Sequence, residues 1–293
     1  MWRMALETNL FNMKIIAKEI ISNFAGVRII KLLLSSAQIS QKALAGQFVV
    51  VMASKIGERI PLTIVEADPK AQTITLIFQE VGLTTRILGN LNIGDNLYAL
   101  VGPLGHATEI KDYGRVILIG GGVGIAEIYP VAKSLKQAGL PAGQAGNDVT
   151  IIIGSKTKEL LILEHELKDV ADKLYIATDD GSGGQKGFTT DILDELLKKD
   201  KYDLVYAVGP LPMMKKVSQI CFPFKLKTIV SLNALMVDGT GMCGCCRVTV
   251  GGKVKFSCVD GPEFMADQVD WVELEKRNSM YADKEKHICK IKF

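Results

Sequence analysis

Cys243, Cys245, Cys246 and Cys258 fall within sixteen residues, inside the glycine-rich stretch DGTGMCGCCRVTVGGKVKFSC. Cys243 and Cys246 form a C-x2-C pair, a spacing that lets two thiolates converge on one metal centre. The intervening glycines permit tight loop geometry and leave backbone N–H groups free to point at sulfur. Plant-type two-iron loops use C-x4-C-x2-C and a distant fourth cysteine. Asp238 holds the first position of that spacing, five residues before Cys243. Asp238, Cys243, Cys246 and Cys258 are therefore one candidate ligand set for a [2Fe–2S] cluster. A rival set replaces Asp238 with Cys245, because carboxylate is a harder ligand than thiolate and an unusual partner for iron–sulfur. The same cysteines also suit a structural zinc site or plain packed thiols. Cys221 and Cys289 stand singly and read as buried thiol or bystander.

A second chemistry sits upstream. Gly120-Gly121-Gly122-Val123-Gly124 follows an apolar run and opens a helix pattern. Glycines let backbone approach a pyrophosphate, and a helix N-terminus offers unpaired N–H groups and a positive dipole end. The spacing is not G-x-G-x-x-G, so a plain tight turn is the rival reading. Thr178-Asp179-Asp180-Gly181-Ser182 and Gly209-Pro210 fall at later strand ends, where open α/β sheets bind ligands. Asp179 or Asp180 is placed to accept a ribose hydroxyl or to serve as a turn residue. Ser155, Lys156 and Thr157 follow the second strand, where a basic residue would meet a 2′-phosphate.

The elements that must carry these residues change along the chain. Residues 13–110 read as strands, such as Gln47–Ala53 and Thr73–Val81, with turn signals between them and no long helix; Thr84-Thr85 reads as an ordinary strand pair. Short strands at this spacing predict a small antiparallel barrel. After Tyr113 strands alternate with helices: Arg115–Ile119, a helix through Ile128 to Ala138, Val149–Ile153, a helix over Lys158–Val170, and Leu174–Ala177. A helix over Thr190–Lys199, Leu204–Val208, a helix over Pro212–Ile220 and Thr228–Leu232 complete the series. That rhythm predicts a doubly wound parallel sheet. Pro130 is expected to kink the first helix or delay its start. Residues 233–262 read as a compact Gly/Cys loop region, and Val269–Phe293 as charged and partly helical.

Whole-chain properties bound the rest. A chain of 293 residues is long enough for two domains. A formal charge of +3, without a basic run, does not argue for nucleic acid. No apolar run reaches the ~18–20 residues of a membrane span. The first residues lack the regions of a signal peptide, and 1–12 read as an N-terminal extension. The expected compartment is the cytoplasm, where clustered cysteines more often bind metal than form disulfides.

The ordered set R-I-P-L-T at 59–63, Q-E-V-G-L-T-T at 79–85, G-P-L-G at 102–105, G-G-G-V-G-I-A-E-I-Y-P at 120–130, A-V-G-P at 207–210 and D-G-T-G-M-C-G-x-C-R at 238–247 resembles one family. It is that of the alpha (small) subunit of NADH-dependent ferredoxin:NADP oxidoreductase, also called the sulfide dehydrogenase beta subunit. The electron-transfer subunit of dihydroorotate dehydrogenase is its sister, and both belong to the ferredoxin reductase superfamily. The resemblance spans about residues 14–270. It implies an FAD-binding β-barrel over 13–112, an NAD(P)-binding α/β domain over 113–232 and a [2Fe–2S]-binding domain over 233–270, with a tail over 271–293.

The resemblance implies that Arg59, Ile60, Pro61, Leu62 and Thr63 hold the flavin, with Gln79, Gly82, Thr84 and Thr85 near the FAD pyrophosphate. It implies that Gly120, Gly121, Gly122, Val123 and Gly124 take the NAD(P) pyrophosphate and that Gly209 and Pro210 lie near the nicotinamide, with Asp180 the expected ribose contact from its strand-end position. Asp238, Cys243, Cys246 and Cys258 match the family's mixed ligand set, and the dihydroorotate sister carries Cys at the position of Asp238. Glu127 agrees with the oxidoreductase subunit rather than with ferredoxin reductases that carry Pro there. Cys245 stands where the family usually has Ala, the 139–147 loop looks inserted, and the tail beyond 275 matches nothing. The implied function is electron transfer among NAD(H), FAD and the cluster to a larger flavoprotein subunit, with no catalytic side chain. A dihydroorotate dehydrogenase partner is the alternative, and a nucleotide-binding protein with structural zinc is the rival from another class.

Overall fold

The computed structural model describes residues 13–55, 57–137 and 146–282. The expected extension over 1–12, most of the 139–147 loop, Cys289 and the end of the tail lie outside the described residues.

The first unit is built of strands because its apolar residues are largely β-branched and its turns fall on glycine and proline. These are β1 (Ile15–Phe24), β2 (Val27–Ser35), β3 (Phe48–Met52), β4 (Arg59–Asp68), β5 (Thr73–Gln79) and β6 (Ala99–Leu104). They pair antiparallel in the order β1-β2-β5-β4-β3-β6. Lys14 bridges Asn96, just ahead of β6, so the two sheet edges meet at one end as barrel closure requires. Register irregularities at Ile20/Ser22, Phe48/Val50 and Ile64/Glu66 supply the bends. Ile30, Leu32, Val49, Val51, Ile74, Leu76 and Phe78 fill the interior.

Two helices interrupt the strands, α1 (Ala37–Ser40) and α2 (Leu83–Asn90). The second corrects the all-strand reading, since Thr84 and Thr85 stand in its first turn. The Thr85 hydroxyl accepts the N–H groups of Val81 and Gly82 at 3.0 Å each, a local arrangement that starts a helix.

The second unit alternates as expected: β7 (Arg115–Gly121), α3 (Ile125–Gln137), β8 (Asp148–Ser155), α4 (Glu164–Val170), β9 (Lys173–Thr178), β10 (Gln185–Lys186), α5 (Thr189–Lys199), β11 (Leu204–Val208), α6 (Leu211–Cys221) and β12 (Lys227–Ser231). The strands run parallel in the order β10-β9-β8-β7-β11-β12. Their near-continuous apolar runs follow from cover on both faces, by α3 and α4 on one and α5 and α6 on the other.

α3 begins at Ile125 and carries Pro130 inside it, so the late start does not occur. Its buried face of Ile125, Ile128, Val131, Ala132 and Leu135 outweighs the one backbone hydrogen bond that proline removes. The helix expected over Lys158–Val170 is two pieces, a turn at Lys158–Leu160 and then α4, parted by Leu163 at φ +57°.

The C-terminal part is more regular than a loop region. It holds the hairpin of β13 (Arg247–Val250) and β14 (Lys253–Phe256), α7 (Ser257–Asp260), β15 (Glu263–Met265) and α8 (Trp271–Asn278). β15 adds antiparallel to β12 and extends the parallel sheet. Cys246, Val248, Cys258 and Phe264 share one core with α5 and α6 and with Phe48 and Val50 of the barrel, so this part packs where the other two meet. The chain thus has the ferredoxin reductase-like fold: a six-stranded antiparallel sheet, a mostly parallel sheet with helices, and a cysteine-bearing C-terminal region.

Candidate functional site

Within the parallel sheet β7 and β11 lie side by side, with Val208 paired to Gly120. β8 and β9 continue on one side and β12 on the other, so chain order reverses between β7 and β11, where such sheets take ligands. Gly120, Gly121, Gly122, Val123 and Gly124 carry the chain from β7 into α3 at this point. Close approach dictates two of these glycines. A Cβ on Gly124 would lie 2.7 Å from the Val208 carbonyl oxygen, and one on Gly120 would lie 2.9 Å from the Ile125 Cα. Gly122 differs, since at φ +56° a Cβ would meet nothing within 4 Å.

Gly122 faces a cleft of about 510 Å³. The cleft runs from Gly121 past Gly154, Ser155, Lys156 and Asp179 to Pro210 and Met213, and Val27, Ile29 and Gln79 close it on the barrel side. Gly209 backs directly on Gly121. Lys156 and Lys216 bring positive charge to the walls. Of the two aspartates, Asp179 lines the cleft, whereas the Asp180 carboxylate accepts the Ser182 hydroxyl and N–H at 2.6 and 2.9 Å. Those bonds hold Asp180 below the usual carboxylate range.

A smaller cavity of about 160 Å³ lies between β4 and the end of β12. Strand alternation sends Ile60 and Leu62 into the barrel core, so their side chains are structural, and turns Pro61 and Thr63 to the cavity. Arg59, at the start of β4, is exposed. Thr84 and Thr85 are buried, the Thr84 hydroxyl spent on Glu58 at 3.2 Å, so α2 offers its backbone N–H groups rather than these hydroxyls.

The cavity's polar wall escaped sequence reasoning. Glu127 lines it, takes a hydrogen bond from Thr63 at 3.2 Å, and lies 2.8 Å from the Tyr206 hydroxyl. Tyr206 is also 2.9 Å from Glu263, which takes a short hydrogen bond from Thr108. Of this set Thr63 and Glu127 stood in the sequence motifs, whereas Tyr206, Glu263 and Thr108 did not, because these side chains are brought together from distant segments with no spacing rule between them.

Burial raises the Glu127 carboxyl, and burial with the neighbouring Glu127 pushes Glu263 up to about 7 despite the Thr108 hydrogen bond. A carboxyl near 4.5 when unfolded and about 7 when folded binds its proton more tightly in the folded chain. Its contribution to stability is present at low pH and is lost as pH rises from 4.5 to about 7. Glu263→Gln escapes that loss. Relative to wild type, its unfolding free energy is expected to gain about 2–3 kcal/mol between pH 5 and pH 8, measured by denaturant unfolding at each pH. A difference that does not change with pH would contradict this.

The cysteine loop reaches the same cavity, since Asn233, Ala234 and Met236 wall it just ahead of Asp238. Cys246 and Cys258 are each about 1 % exposed, their sulfurs 3.2 Å apart, and the Cys258 N–H points at the Cys246 sulfur. Burial and the adjacent thiol push Cys258 up to about 12. Cys243 is exposed, and its thiol is close enough to hydrogen-bond the Asp238 carboxylate. The Thr240 N–H, at 2.7 Å, holds that carboxylate below its ordinary range, with help from Cys243 and from the Arg59 charge.

The candidate ligands therefore stand as two pairs, Asp238 with Cys243 and Cys246 with Cys258. Among the described residues no three such side chains converge on one point. A two-iron cluster takes two protein ligands on each iron, so the pairing suits it, whereas tetrahedral zinc needs four donors around one centre. Cys245 lies beside Cys243 but lines a separate hollow with Arg277, which donates to the Cys245 carbonyl at 3.0 Å.

Residues 118–219 match the family model of the oxidoreductase NAD-binding domain, and residues 233–270 that of the iron-sulfur cluster binding domain of dihydroorotate dehydrogenase B. A Thermotoga maritima protein named as a homolog of the dihydroorotate dehydrogenase B (NAD(+)) electron transfer subunit is 48% identical over 251 residues, 86% of each chain. The subunit of that name from Geobacillus sp. (strain WCH70) is 35% identical over 82% of this chain and 92% of its own. A solved structure of an NADH-dependent reduced ferredoxin-NADP oxidoreductase, described for flavin-based electron bifurcation, is 43% identical with a TM-score of 0.86, over 96% of this chain and 97% of that one. Ferredoxin-NADP+ reductase from Plasmodium falciparum, 16% identical with a TM-score of 0.57 over 73% and 92% of the two chains, shares the fold.

Proposed function

Since this chain belongs to the family of dihydroorotate dehydrogenase B electron transfer subunits and their homologues, we propose that it relays electrons from NAD(H) through FAD to a [2Fe–2S] cluster. On this reading it serves as the smaller subunit of an NADH-dependent ferredoxin:NADP oxidoreductase type of enzyme. The observation that carries the proposal is adjacency. The cleft at Gly122 abuts the barrel at Gln79, the cavity at Thr63 is walled by the residues leading to Asp238, and the charge of Arg59 reaches Asp238.

Each group has its holders. The turn from Gly120 to Gly124 and the N-terminus of α3 receive the dinucleotide pyrophosphate, with Asp179 on the ribose and Gly209 and Pro210 near the nicotinamide. A carboxylate there disfavours a 2′-phosphate, which supports NAD(H) over NADP(H). Arg59, Pro61 and Thr63 orient the flavin ring, and the start of α2, just after Gly82, meets its pyrophosphate through the N–H groups of Thr84 and Thr85. Asp238, Cys243, Cys246 and Cys258 hold the cluster. When bound, FAD takes a hydride and releases single electrons, which the cluster passes on. The protein supplies distance, order and exclusion of water, with domains at 13–112, 113–232 and 233–270.

Its homologues are named as electron transfer subunits of larger enzymes. The proposed partner is a larger flavoprotein/Fe–S subunit in a heterodimer. Exposed Met242 and Cys243 put the outer side of the cluster loop at the surface, where such a partner would receive electrons. Among the described residues no helix is long and apolar enough to cross a membrane. The proposed compartment is the cytoplasm, where thiolates remain reduced. Asp238 favours this enzyme type over a dihydroorotate dehydrogenase partner.

The test is iron, sulfide and flavin analysis with EPR of the reduced chain, repeated on two variants. Asp238→Ala is expected to lose most of its iron or shift its EPR spectrum, and Cys245→Ala to keep both. The reverse pattern would assign the fourth ligand to Cys245. Co-purification with a dihydroorotate dehydrogenase catalytic subunit would overturn the partner.

A further inference from the structure

The Tyr206 hydroxyl lies 2.8 Å from Glu127 and 2.9 Å from Glu263, and a phenol has one proton to donate. When it donates to one carboxylate, the other contact is a hydrogen bond only where that carboxyl is protonated and donates to the phenol oxygen. Two ionised carboxylates on one buried hydroxyl would repel each other without compensation. Among the described residues no cation acts on either carboxyl. Among the described residues the groups that face the pair are the hydroxyls of Thr63 on β4, Ser231 on β12 and Thr108 after β6, besides Tyr206 on β11, and Tyr113 is a further titratable group that feels the Glu263 charge.

The arrangement also has a direction. Thr63 stands on the cavity wall beside Glu127, Glu127 is 7 % exposed, and Glu263 beyond Tyr206 is partly exposed beside Thr108. Hydrogen bonds therefore run from the cavity, through the interior, toward the surface. Among the described residues no lysine or histidine lines the cavity.

We propose that Glu127 and Glu263 hold one proton between them across Tyr206, and that Glu127 is the proton acceptor of the flavin site, with Tyr206 and Glu263 as the exit. This rests on the flavin reading above. A hydride from NADH forms the flavin N5–H bond. When that bond breaks, its electron pair leaves as two single electrons toward the iron–sulfur loop, and the proton forms an O–H bond on the ionised Glu127 carboxylate. Glu263 releases a proton to water, which returns the pair to its one-proton state.

The test uses the full chain, wild type and the variants Glu127→Gln, Glu263→Gln and Tyr206→Phe, with two readouts. Infrared spectra of the flavin-free protein at pH 6, below the Glu263 value of about 7, are expected to show a protonated carboxyl stretch that both glutamine variants weaken. The midpoint potential of the bound flavin, followed against pH, is expected to bend near the Glu263 value of about 7 in wild type and to lose that bend in Glu263→Gln and Tyr206→Phe. Absence of the carboxyl band overturns the shared proton. A bound flavin whose potential follows pH identically in wild type and variants overturns the relay. A chain that binds no flavin overturns the cofactor reading itself, and the infrared band still reports on the shared proton.

Discussion

Replacing Cys246 with serine is expected to empty the C-terminal loop of iron and sulfide while leaving flavin and its reduction by NADH in place. Cys246 is about 1 % exposed and faces Cys258 across 3.2 Å, while Cys245 next to it lines a separate hollow, so the position of its sulfur is fixed by burial. Serine is nearly isosteric, but its hydroxyl is a harder and far less acidic donor than a thiol. Iron content is expected to fall below roughly one-tenth of wild type, and electron delivery to an external one-electron acceptor by roughly 100-fold. Cys221→Ser is the control, an equally buried thiol at the end of α6 that burial pushes up to about 11. It is expected to keep its iron. Full iron content in Cys246→Ser, by colorimetric iron and sulfide assay, would contradict the ligand assignment.

The second large effect is expected at Gly122, which separates binding from folding. Its φ of +56° lies in the left-handed region that Asp tolerates, and an added Cβ meets nothing within 4 Å. Gly122→Asp should therefore leave the fold intact, its unfolding free energy changed by about 1 kcal/mol or less. It places a carboxylate at the mouth of the cleft, against the charge of a docked pyrophosphate. At an effective dielectric near 20 two such charges repel by a few kcal/mol, so KM for NADH is expected to rise roughly 100-fold. Gly124→Ala makes the contrast, because its Cβ would fall 2.7 Å from the Val208 carbonyl and damage the turn itself. An unchanged KM in Gly122→Asp would remove the pyrophosphate from this turn.

Much of this was legible in the chain, and the exceptions have physical causes. The parallel strands were plain because cover on both faces demands unbroken apolar runs, as in Leu204–Val208. The turn from Gly120 to Gly124 was plain because backbone closeness leaves no room for side chains at Gly120 and Gly124. α2 was missed because local side-chain bonding by Thr85, rather than an apolar period, starts it. The break at Leu163 was missed because no glycine marks its positive φ. Asp179 and Asp180 are adjacent and chemically alike, and only the fold of the Ser182 turn shows which one is occupied. The ligand loop was readable from spacing, but the split of its ligands into two pairs belongs to tertiary structure. The Glu127–Tyr206–Glu263 connection spans three separate strands and helices and leaves no local pattern at all.

The relay from NAD(H) through flavin to cluster is tested most directly by anaerobic titration of the purified chain with NADH, followed by visible absorbance and EPR together. The expected result is a chain with one flavin and about two iron and two sulfide, in which NADH bleaches the flavin and a reduced-cluster EPR signal then grows. Zinc in place of iron and sulfide, or a bleached flavin beside a cluster that stays oxidised with a competent low-potential acceptor absent, would contradict it.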